Sequence, residues 1–362
     1  MMTNSISTSA LEYLSLLQSG FMRSIRISIG SADVLGLKNA RHDVDPTTCY
    51  LMTASKELCQ GHCAFCPQGI KADEIQNKKN AEKLSRITWP EFPFEEFIST
   101  LKLNQNRSNP RQFKRICIQV LNYPGFIEDV YVIIHAIREI NGKLPISAAI
   151  PPVQTSELEK LHQLGLERIG IALDAVTPEL FYQIKGKGVQ GPYTWENHWH
   201  TLQAAVKIFG KMRVSTHFII GMGETEEQSI EQIRNAIQIH VLPGIFMFTP
   251  VMYTPMATAP RPNIETFRRV QLARWLLLQN LTHFQRFEFE HGILKLIQNL
   301  THDELRTIIK QGGAFKTAGC PDCNRPYYNS APNQEQDGFP RDLTTEEQNR
   351  IFEELKNLIP NP

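Results

Sequence analysis

The feature that most constrains the fold is the regular alternation of two hydrophobic patterns along the 362-residue chain. Short runs rich in Ile, Val and Phe, bounded by Gly, Pro or Asn, predict strands, and longer amphipathic runs between them predict helices. The predicted strands are Thr48–Thr53, Arg115–Leu121, Ile146–Ile150, Arg168–Leu173, Val214–Ile220 and Ile245–Thr249. Strands that alternate with helices imply an α/β fold with parallel strands and right-handed crossovers. Six such units favour a full or partial (βα) barrel of the TIM type.

The predicted helices share an apolar stripe at helical spacing. They are Phe126–Ile140, Thr155–Leu164, Tyr193–Phe209, Glu226–Ile239 and Ile264–Leu281. Thr225 and Gln228 have the spacing of a capping box, so one helix is expected to start directly after Glu224. Chemistry in a barrel of this kind collects at the C-terminal ends of the strands, and functional residues are expected there.

Two segments fall outside this alternation. Residues 1–45 are predicted to contain one short helix and then the run Ile25–Leu37, a lead-in that packs against the barrel. Residues 310–362 contain a cysteine pair, the Pro/Asn/Gln-rich stretch Ala331–Arg341 and a last helix near Thr345–Leu358. We therefore expect a lead-in (1–45), a barrel (46–309) and an irregular C-terminal extension (310–362), not separate domains.

Charge and cysteine usage narrow the class of protein. A net charge of +1 gives no global field that would attract nucleic acid. The seven cysteines are an odd number in a chain too long for a small secreted scaffold, which argues against a disulfide framework. The first 25 residues lack the apolar core of a secretion signal, and no stretch approaches the ~20 apolar residues of a membrane span. We expect a cytoplasmic protein with no nucleic-acid or membrane partner.

Three cysteines, Cys59, Cys63 and Cys66, follow the first predicted strand in the pattern Cx3CxxC. Three thiolates on one tight loop can ligate three irons of a cubane 4Fe–4S cluster and leave the fourth iron open to a small molecule. Gly61 allows the loop to turn tightly. The alternative is zinc, which normally takes four ligands. His62 could be the fourth only by pointing the same way as the cysteines, so an iron–sulfur cluster is favoured.

With the aromatic Phe65 before its last cysteine, this motif resembles the signature of the radical S-adenosylmethionine superfamily. The resemblance implies that S-adenosylmethionine binds the open iron through its amino and carboxylate groups. One electron from the cluster, supplied by an electron donor, then releases a 5′-deoxyadenosyl radical that abstracts hydrogen from an unactivated carbon. The cofactor carries this chemistry, and the protein supplies orientation and a dry cavity.

The resemblance also suggests cofactor-binding residues on two other strands. Asp174, at the end of the fourth predicted strand, is similar to an Asp of biotin synthase and its relatives and would accept hydrogen bonds from ribose hydroxyls. The alternative is an N-cap for the helix that starts near Thr177. Asn122 stands where the superfamily usually has Gly-Gly-Glu, and it is the candidate ligand of the methionine amino group.

The segment Phe218–Glu224 resembles the superfamily pattern GxIxGxxE, with Phe218 in place of the first glycine. Gly221 would let the backbone approach the adenine and methionine parts of the cofactor closely. Glu224 either contacts the cofactor or favours the N-terminus of the following helix by its charge.

The remaining cysteines are candidates for a second site. Cys320 and Cys323 form a CxxC pair that suits a zinc half-site, a redox pair or an auxiliary cluster, and the lack of thioredoxin-like context disfavours the redox pair. Strand alternation places Cys117 on the face shared by Gln119 and Leu121, directed into the barrel. The auxiliary cluster would combine Cys320 and Cys323 with Cys49, Cys117 or both. The alternative for Cys49 and Cys117 is that of a small buried hydrophobe.

The resemblance extends from Ser28–Gly36 to Phe315–Tyr328 and is strongest to the biotin-synthase-related branch, in particular to the two-component lipoyl synthases of archaea. It implies a sulfurtransferase that inserts sulfur into an unactivated C–H of an octanoyl chain on a lipoyl-domain protein, together with a sister radical S-adenosylmethionine chain. The second cluster would supply the sulfur. The alternatives are a radical enzyme of other chemistry, such as a biotin synthase-like reaction, methylation or rearrangement in cofactor biosynthesis, and, more remotely, a zinc-binding interaction protein.

Overall fold

The computed structural model describes residues 23–69, 82–106, 108–330 and 333–360. The short helix predicted near the start of the chain lies outside these residues. The main sheet has eight strands: β1 (Ser24–Ile27), β2 (Thr48–Thr53), β5 (Glu91–Pro93), β6 (Arg115–Gln119), β7 (Ile146–Ala149), β8 (Arg168–Gly170), β9 (Val214–Ile220) and β10 (Val241–Met247). Two hairpins add β3 (Lys83–Leu84) with β4 (Ile87–Thr88), and β11 (Phe287–Glu290) with β12 (Ile293–Ile297).

The described residues form ten α-helices, which include the five predicted between strands and the last helix predicted near Thr345–Leu358. They are α1 (Ile29–Val34), α2 (Phe94–Asn104), α3 (Phe126–Ile140), α4 (Thr155–Gln163), α5 (Pro178–Ile184), α6 (Trp195–Phe209), α7 (Glu226–Gln238), α8 (Ile264–Leu278), α9 (His302–Gln311) and α10 (Thr345–Leu355). The capping box predicted at Thr225 and Gln228 is present and starts α7. Within the described residues, no helix combines the length and the hydropathy that crossing a membrane requires.

The sheet is open, with the strand order β10-β9-β8-β7-β6-β2-β1-β5. The six strands from β2 to β10 in this order pair in parallel, and β1 and β5 extend the sheet antiparallel beyond β2. This arrangement confirms the predicted α/β class and gives a partial barrel, because β10 does not pair with β2. The lead-in run that starts at Ile25 joins the sheet itself as β1.

Alternating burial shows which face of each strand meets the helices. In β9 the fully buried residues alternate with half-buried ones, and Ser215, His217 and Ile219 face the concave side of the sheet. In β2 the inner residues are Tyr50 and Met52, which belong to an apolar cluster separate from the main core. The concave face therefore carries the side chains that are available for a site.

One strand starts earlier than the sequence predicted. The last parallel strand begins at Val241 instead of Ile245, because Pro243 and Gly244 interrupt the apolar pattern without breaking the strand. β10 is an edge strand of the sheet. Proline has no N–H to donate, and it is tolerated in an edge strand because no further strand has to accept a hydrogen bond there. The Pro243 carbonyl accepts a hydrogen bond of 2.6 Å from the buried Arg274 Nε.

The open side of the barrel is crossed by residues 316–330, which we call the C-terminal strap. Near the start of β2, the Asn324 side chain accepts from the Thr47 N–H (3.0 Å) and donates to the Asp45 carbonyl (2.8 Å). On the β10 side, the Tyr328 ring lies 5.8 Å from the ring of Phe246, centroid to centroid. The strap thus spans the interval between β2 and β10 that the sheet leaves unpaired.

Candidate functional site

The concave face of the sheet and the strap enclose a cavity of about 290 Å³. Six of the seven cysteines line it, namely Cys59, Cys63, Cys66, Cys117, Cys320 and Cys323. The predicted cofactor-binding residues Phe65, Asn122 and Asp174 line the same cavity. Two groups of three cysteines that are distant in sequence therefore share one space.

The loop of the first triplet is held by the segment that follows β6. The Asn122 N–H donates to Cys59 Sγ (3.3 Å), and the Gln60 N–H donates to the Asn122 carbonyl (2.7 Å). A Cβ added at Gly61 would lie 3.1 Å from the Tyr193 ring and 3.4 Å from Cys59 Sγ, so the loop packs tightly at this glycine. The Asn122 Nδ2 donates to the Tyr193 hydroxyl (3.0 Å), which joins both sides of the loop.

The geometry of the first triplet disfavours zinc. His62 adopts φ +50°, and its Nδ1 lies 2.7 Å from the Gly69 carbonyl oxygen, so the ring is engaged away from the cysteines. Within the described ranges, the one trio of ligand atoms that all lie within 4.8 Å of each other is Asp33, His42 and Asp45. Tetrahedral zinc with ~2.3 Å bonds to thiolates holds sulfurs roughly 3.8 Å apart. The three sulfurs of the first triplet do not all lie within 4.8 Å of one another, and a cluster of several irons suits that spread better than a zinc ion.

A buried ion pair lies beside the first triplet. Lys185 Nζ is 2.6 Å from Asp174 Oδ2, with the two side chains 7% and 13% exposed. Burial raises the pKa of Cys66 to about 12, and burial raises the pKa of Cys63 as well. The Lys185 charge opposes both increases, and so this lysine is the local cation that favours thiolates.

Asp174 is directed into the cavity and does not cap a helix. It adopts a left-handed φ of +65° and extends the pairing of β8 with β9 by a single bridge to Phe218. The N-cap of α5 is Thr177, whose hydroxyl accepts from the Leu180 N–H (3.2 Å). The N-cap alternative for Asp174 is therefore wrong, and the carboxylate remains available to a ligand beside Lys185.

The second triplet combines the barrel wall with the strap. Cys117 on β6 faces inward, as strand alternation predicted, and its sulfur accepts from Gln119 Nε2 at 3.2 Å. Cys320 and Cys323 lie on the strap, and Cys323 Sγ is 3.3 Å from the Tyr50 hydroxyl. Cys117, Cys320 and Cys323 all line the cavity, and they form the second triplet.

The second triplet also has its own cation. The Arg325 guanidinium lies 4.1 Å from the ring centroid of Phe246 and 5.4 Å from that of Tyr328. Burial raises the pKa of Cys117 to about 12 and also raises the pKa of Cys323, and the Arg325 charge opposes both increases. The donor set of three cysteines with an adjacent cation fits a second iron–sulfur cluster.

Cys49 is a correction to the predicted ligand set. Its side chain is fully buried in the main hydrophobic core, on the face of β2 opposite to Tyr50 and Met52. Strand alternation explains this placement, because neighbouring residues of a strand point to opposite faces. Cys49 therefore behaves as a small buried hydrophobe.

Gly221 and Glu224 shape a turn outside the cavity wall formed by the described residues. The Glu224 carboxylate accepts the N–H groups of Gly221 (2.5 Å) and Met222 (3.0 Å). Gly221 adopts φ +101°, and a Cβ there would lie 2.3 Å from Pro262 Cγ. The ring of Pro262 therefore fills the space beside Gly221, and this contact within the chain is what requires glycine there.

Several cavity residues were not predicted from the sequence. They are Tyr50, Lys185, Tyr193, His217, Arg325 and Tyr328. Alternation along β2 and β9 was a usable signal for Tyr50 and His217, whereas Lys185 and Arg325 lie outside any strand pattern. Burial raises the pKa of Tyr328, and the charges of Cys66 and Cys117 raise it further. Tyr328 therefore lies within electrostatic reach of both triplets.

The chain is similar to several known proteins in sequence. The family model of the Radical SAM superfamily matches residues 56–237, which include the first triplet, Asn122 and Asp174. The biotin synthase of Clostridium acetobutylicum is 23% identical over 241 residues, which cover 65% of this chain and 67% of that protein. A GTP 3′,8-cyclase of Cyanothece sp. is 35% identical over 100 residues, covering 24% of this chain and 29% of the cyclase. The chain therefore spans less than a third of that relative.

Among solved structures, methylornithine synthase (PylB) matches with a TM-score of 0.46 and 13% sequence identity, covering 84% of this chain and 80% of that one. The FeFe-hydrogenase maturase HydG of Carboxydothermus hydrogenoformans matches with a TM-score of 0.47 and 15% identity, covering 62% and 50% of the two chains.

Proposed function

This chain belongs to the radical SAM superfamily, and from that premise we propose that it inserts sulfur into an unactivated C–H bond of an octanoyl chain carried by a lipoyl-domain protein. The observation that carries the proposal is the second triplet, Cys117, Cys320 and Cys323, in the same cavity as the first. When bound, the first cluster and S-adenosylmethionine would supply the radical that removes hydrogen, and the second cluster would supply the sulfur.

At the first site, Cys59, Cys63 and Cys66 would hold the 4Fe–4S cluster. The Asn122 N–H is already aimed at Cys59 Sγ and would stabilise negative charge on that ligand. Asp174 uses one carboxylate oxygen for Lys185 and would offer the other to the ribose hydroxyls of S-adenosylmethionine. Phe65 would pack against the cofactor from the same loop.

The wall between the two triplets suits an acyl chain. Its apolar members include Val120, Ile150, Ile219, Phe246 and Phe248. An apolar wall binds a saturated chain by burial and keeps water away from a reactive carbon. A carrier domain and a sister chain belong to this proposal as the partners that would present the substrate.

Iron and sulfide content after anaerobic reconstitution, with Mössbauer spectra, tests the proposal. The wild type should hold roughly eight irons per chain and the Cys320→Ala/Cys323→Ala variant roughly four, because only the second cubane is lost. Cys49→Ala is the matched control, and it should keep both clusters. If wild type and double variant hold the same single cluster, sulfur insertion is excluded and a radical enzyme of other chemistry remains.

Product analysis then addresses the substrate. With S-adenosylmethionine, a reductant and an octanoylated lipoyl-domain peptide, mass spectrometry should show sulfur added to the peptide by the wild type. The double variant should still cleave S-adenosylmethionine, because the first triplet is intact, but should add no sulfur. If the wild type holds two clusters but leaves the octanoyl peptide unchanged, the proposed sulfur chemistry stands and the proposed substrate is wrong.

A further inference from the structure

The Tyr50 hydroxyl makes two hydrogen bonds that link β2 to the strap. Its oxygen accepts from the Arg325 N–H at 2.8 Å, and it lies 3.3 Å from Cys323 Sγ. A phenol has one proton. A metal-bound cysteine is a thiolate and has no proton to give, so at a loaded site the proton of this contact must come from Tyr50. The geometry fixes the direction of the hydrogen bond as Tyr50 O–H to Cys323 sulfur.

A donor aimed at a thiolate ligand has a defined electronic effect. It stabilises negative charge on the sulfur, and therefore favours the reduced form of a cluster over the oxidised form. Cys117 receives its hydrogen bond from Gln119, a residue of its own strand. Tyr50 is different because it reaches from the barrel wall to a ligand on another segment.

The segment that carries Cys320 and Cys323 has a strained backbone, which contacts with the rest of the chain hold in place. Asp322, Arg325 and Tyr327 have left-handed φ values of +64°, +28° and +55°. Non-glycine residues in such conformations are energetically unfavourable and persist where surrounding contacts impose them. Besides the contacts of Tyr50, two hydrogen bonds hold this segment. The Thr47 N–H donates to Asn324 Oδ1 (3.0 Å), and Arg115 Nε donates to the Pro321 carbonyl (3.2 Å).

We propose that Tyr50 is a positioning residue of the second cluster site, which holds Cys323 against the barrel wall by a hydrogen bond to its sulfur and raises the reduction potential of the cluster bound there. The proposal rests on the proposed function, because it requires that the second triplet binds a cluster. Tyr50 thus affects the reduction potential of the cluster and also positions its ligand Cys323.

The test uses Cys59→Ala/Cys63→Ala/Cys66→Ala as the background, so that the second cluster is the only one present. Its potential is measured by EPR-monitored redox titration, with and without Tyr50→Phe. We expect the Tyr50→Phe protein to have a more negative potential, and faster hydrogen exchange at amides 320–325 in the metal-free state. Tyr182→Phe, which removes a hydroxyl that donates to Glu196 (2.6 Å) away from the cavity lining, is the control and should leave the potential unchanged.

A second substitution covers the case in which Tyr50→Phe loses the cluster. 3-Fluorotyrosine at position 50 keeps the hydroxyl and makes it a stronger donor, and the potential should then move in the positive direction. An unchanged potential in the fluorinated protein overturns the proposal while the second cluster, and with it the proposed function, stands. A background protein that binds no iron overturns both together.

Discussion

At the scale of single residues, the cavity is organised around two cations, Lys185 and Arg325, one beside each triplet. The Lys185 side chain is 7% exposed, and that of its partner Asp174 is 13% exposed. Although burial alone would lower it, the charges of Asp174 and Cys63 raise the pKa of Lys185. The lysine is therefore charged at neutral pH, and each member of the pair depends on the other for stabilisation.

Removing one member of this pair leaves an uncompensated buried charge. We expect Lys185→Met and Asp174→Asn each to lower the free energy of unfolding of the metal-free protein by about 3 kcal/mol, and the double variant to lose less than the sum. Urea denaturation measures all three. Lys187→Met, at an exposed lysine two residues away, is the control and should change stability by less than about 0.5 kcal/mol. Strict additivity in the double variant would contradict the coupling.

At the scale of elements, a buried carboxylate ties α7 to α8 and to β12. Glu226 is 4% exposed, and its two oxygens accept from Arg269 Nε (2.9 Å) and from an Arg269 terminal nitrogen (2.6 Å). One of these oxygens also accepts from the Leu294 N–H (3.0 Å). A single side chain thus satisfies donors from two other elements, behind the strands that carry the cavity.

We expect Glu226→Ala to cost about 3 kcal/mol of stability, because it leaves Arg269 and a buried N–H without their acceptor. Glu231, on the same helix, pairs with Arg234 at 3.1 Å but is 49% exposed. Glu231→Ala should therefore change stability by less than roughly 0.5 kcal/mol. Equal losses in the two variants, measured by chemical denaturation, would show that burial does not set the strength of this contact.

The helices and strands that could be predicted are those whose apolar pattern lies within one continuous stretch of the sequence. β2, β9 and α3 have the predicted bounds because their apolar patterns are long and bounded by turn residues. The antiparallel pairing of β1 with β5 was not predicted, because it joins two short segments about 65 residues apart that have no pattern in common. Local patterning fixes where a strand lies, and tertiary packing fixes its partner.

The same distinction applies to the site. The first triplet could be predicted because its three cysteines lie within eight residues, and the spacing itself carries the chemistry. The second triplet joins Cys117 to a pair about two hundred residues later. Alternation gave the direction of Cys117, and along β2 it also separates Cys49 from the inward face of Tyr50. Nothing local shows that the strap returns to β6.

At the scale of the whole molecule, the strap completes the barrel by side-chain contacts instead of a ladder of strand hydrogen bonds. Asn324 is central to it at the β2 end, through its bonds to Thr47 and Asp45. Segments held in this way open with smaller free energies than the strands of a sheet. The strap is therefore expected to be the least stable wall of the cavity.

We expect Asn324→Ala to increase hydrogen exchange of the strap amides about tenfold, since hydrogen bonds worth roughly 1.4 kcal/mol are lost from its closed form. Exchange mass spectrometry of the metal-free protein measures this, with the peptide that contains β7 as the internal reference. A uniform increase in both peptides would mean that the substitution destabilises the whole fold and that the strap does not open independently.

The position of the strap in the sequence sets an order of assembly during translation. All the strands of the barrel and the loop of Cys59, Cys63 and Cys66 leave the ribosome before residues 316–330 do. A nascent chain can therefore fold its parallel strands around the first triplet while two of the three cysteines of the second are still being synthesised. The first cluster can be installed in an unfinished protein, whereas the proposed second cluster would require delivery to a chain that has already passed residue 323.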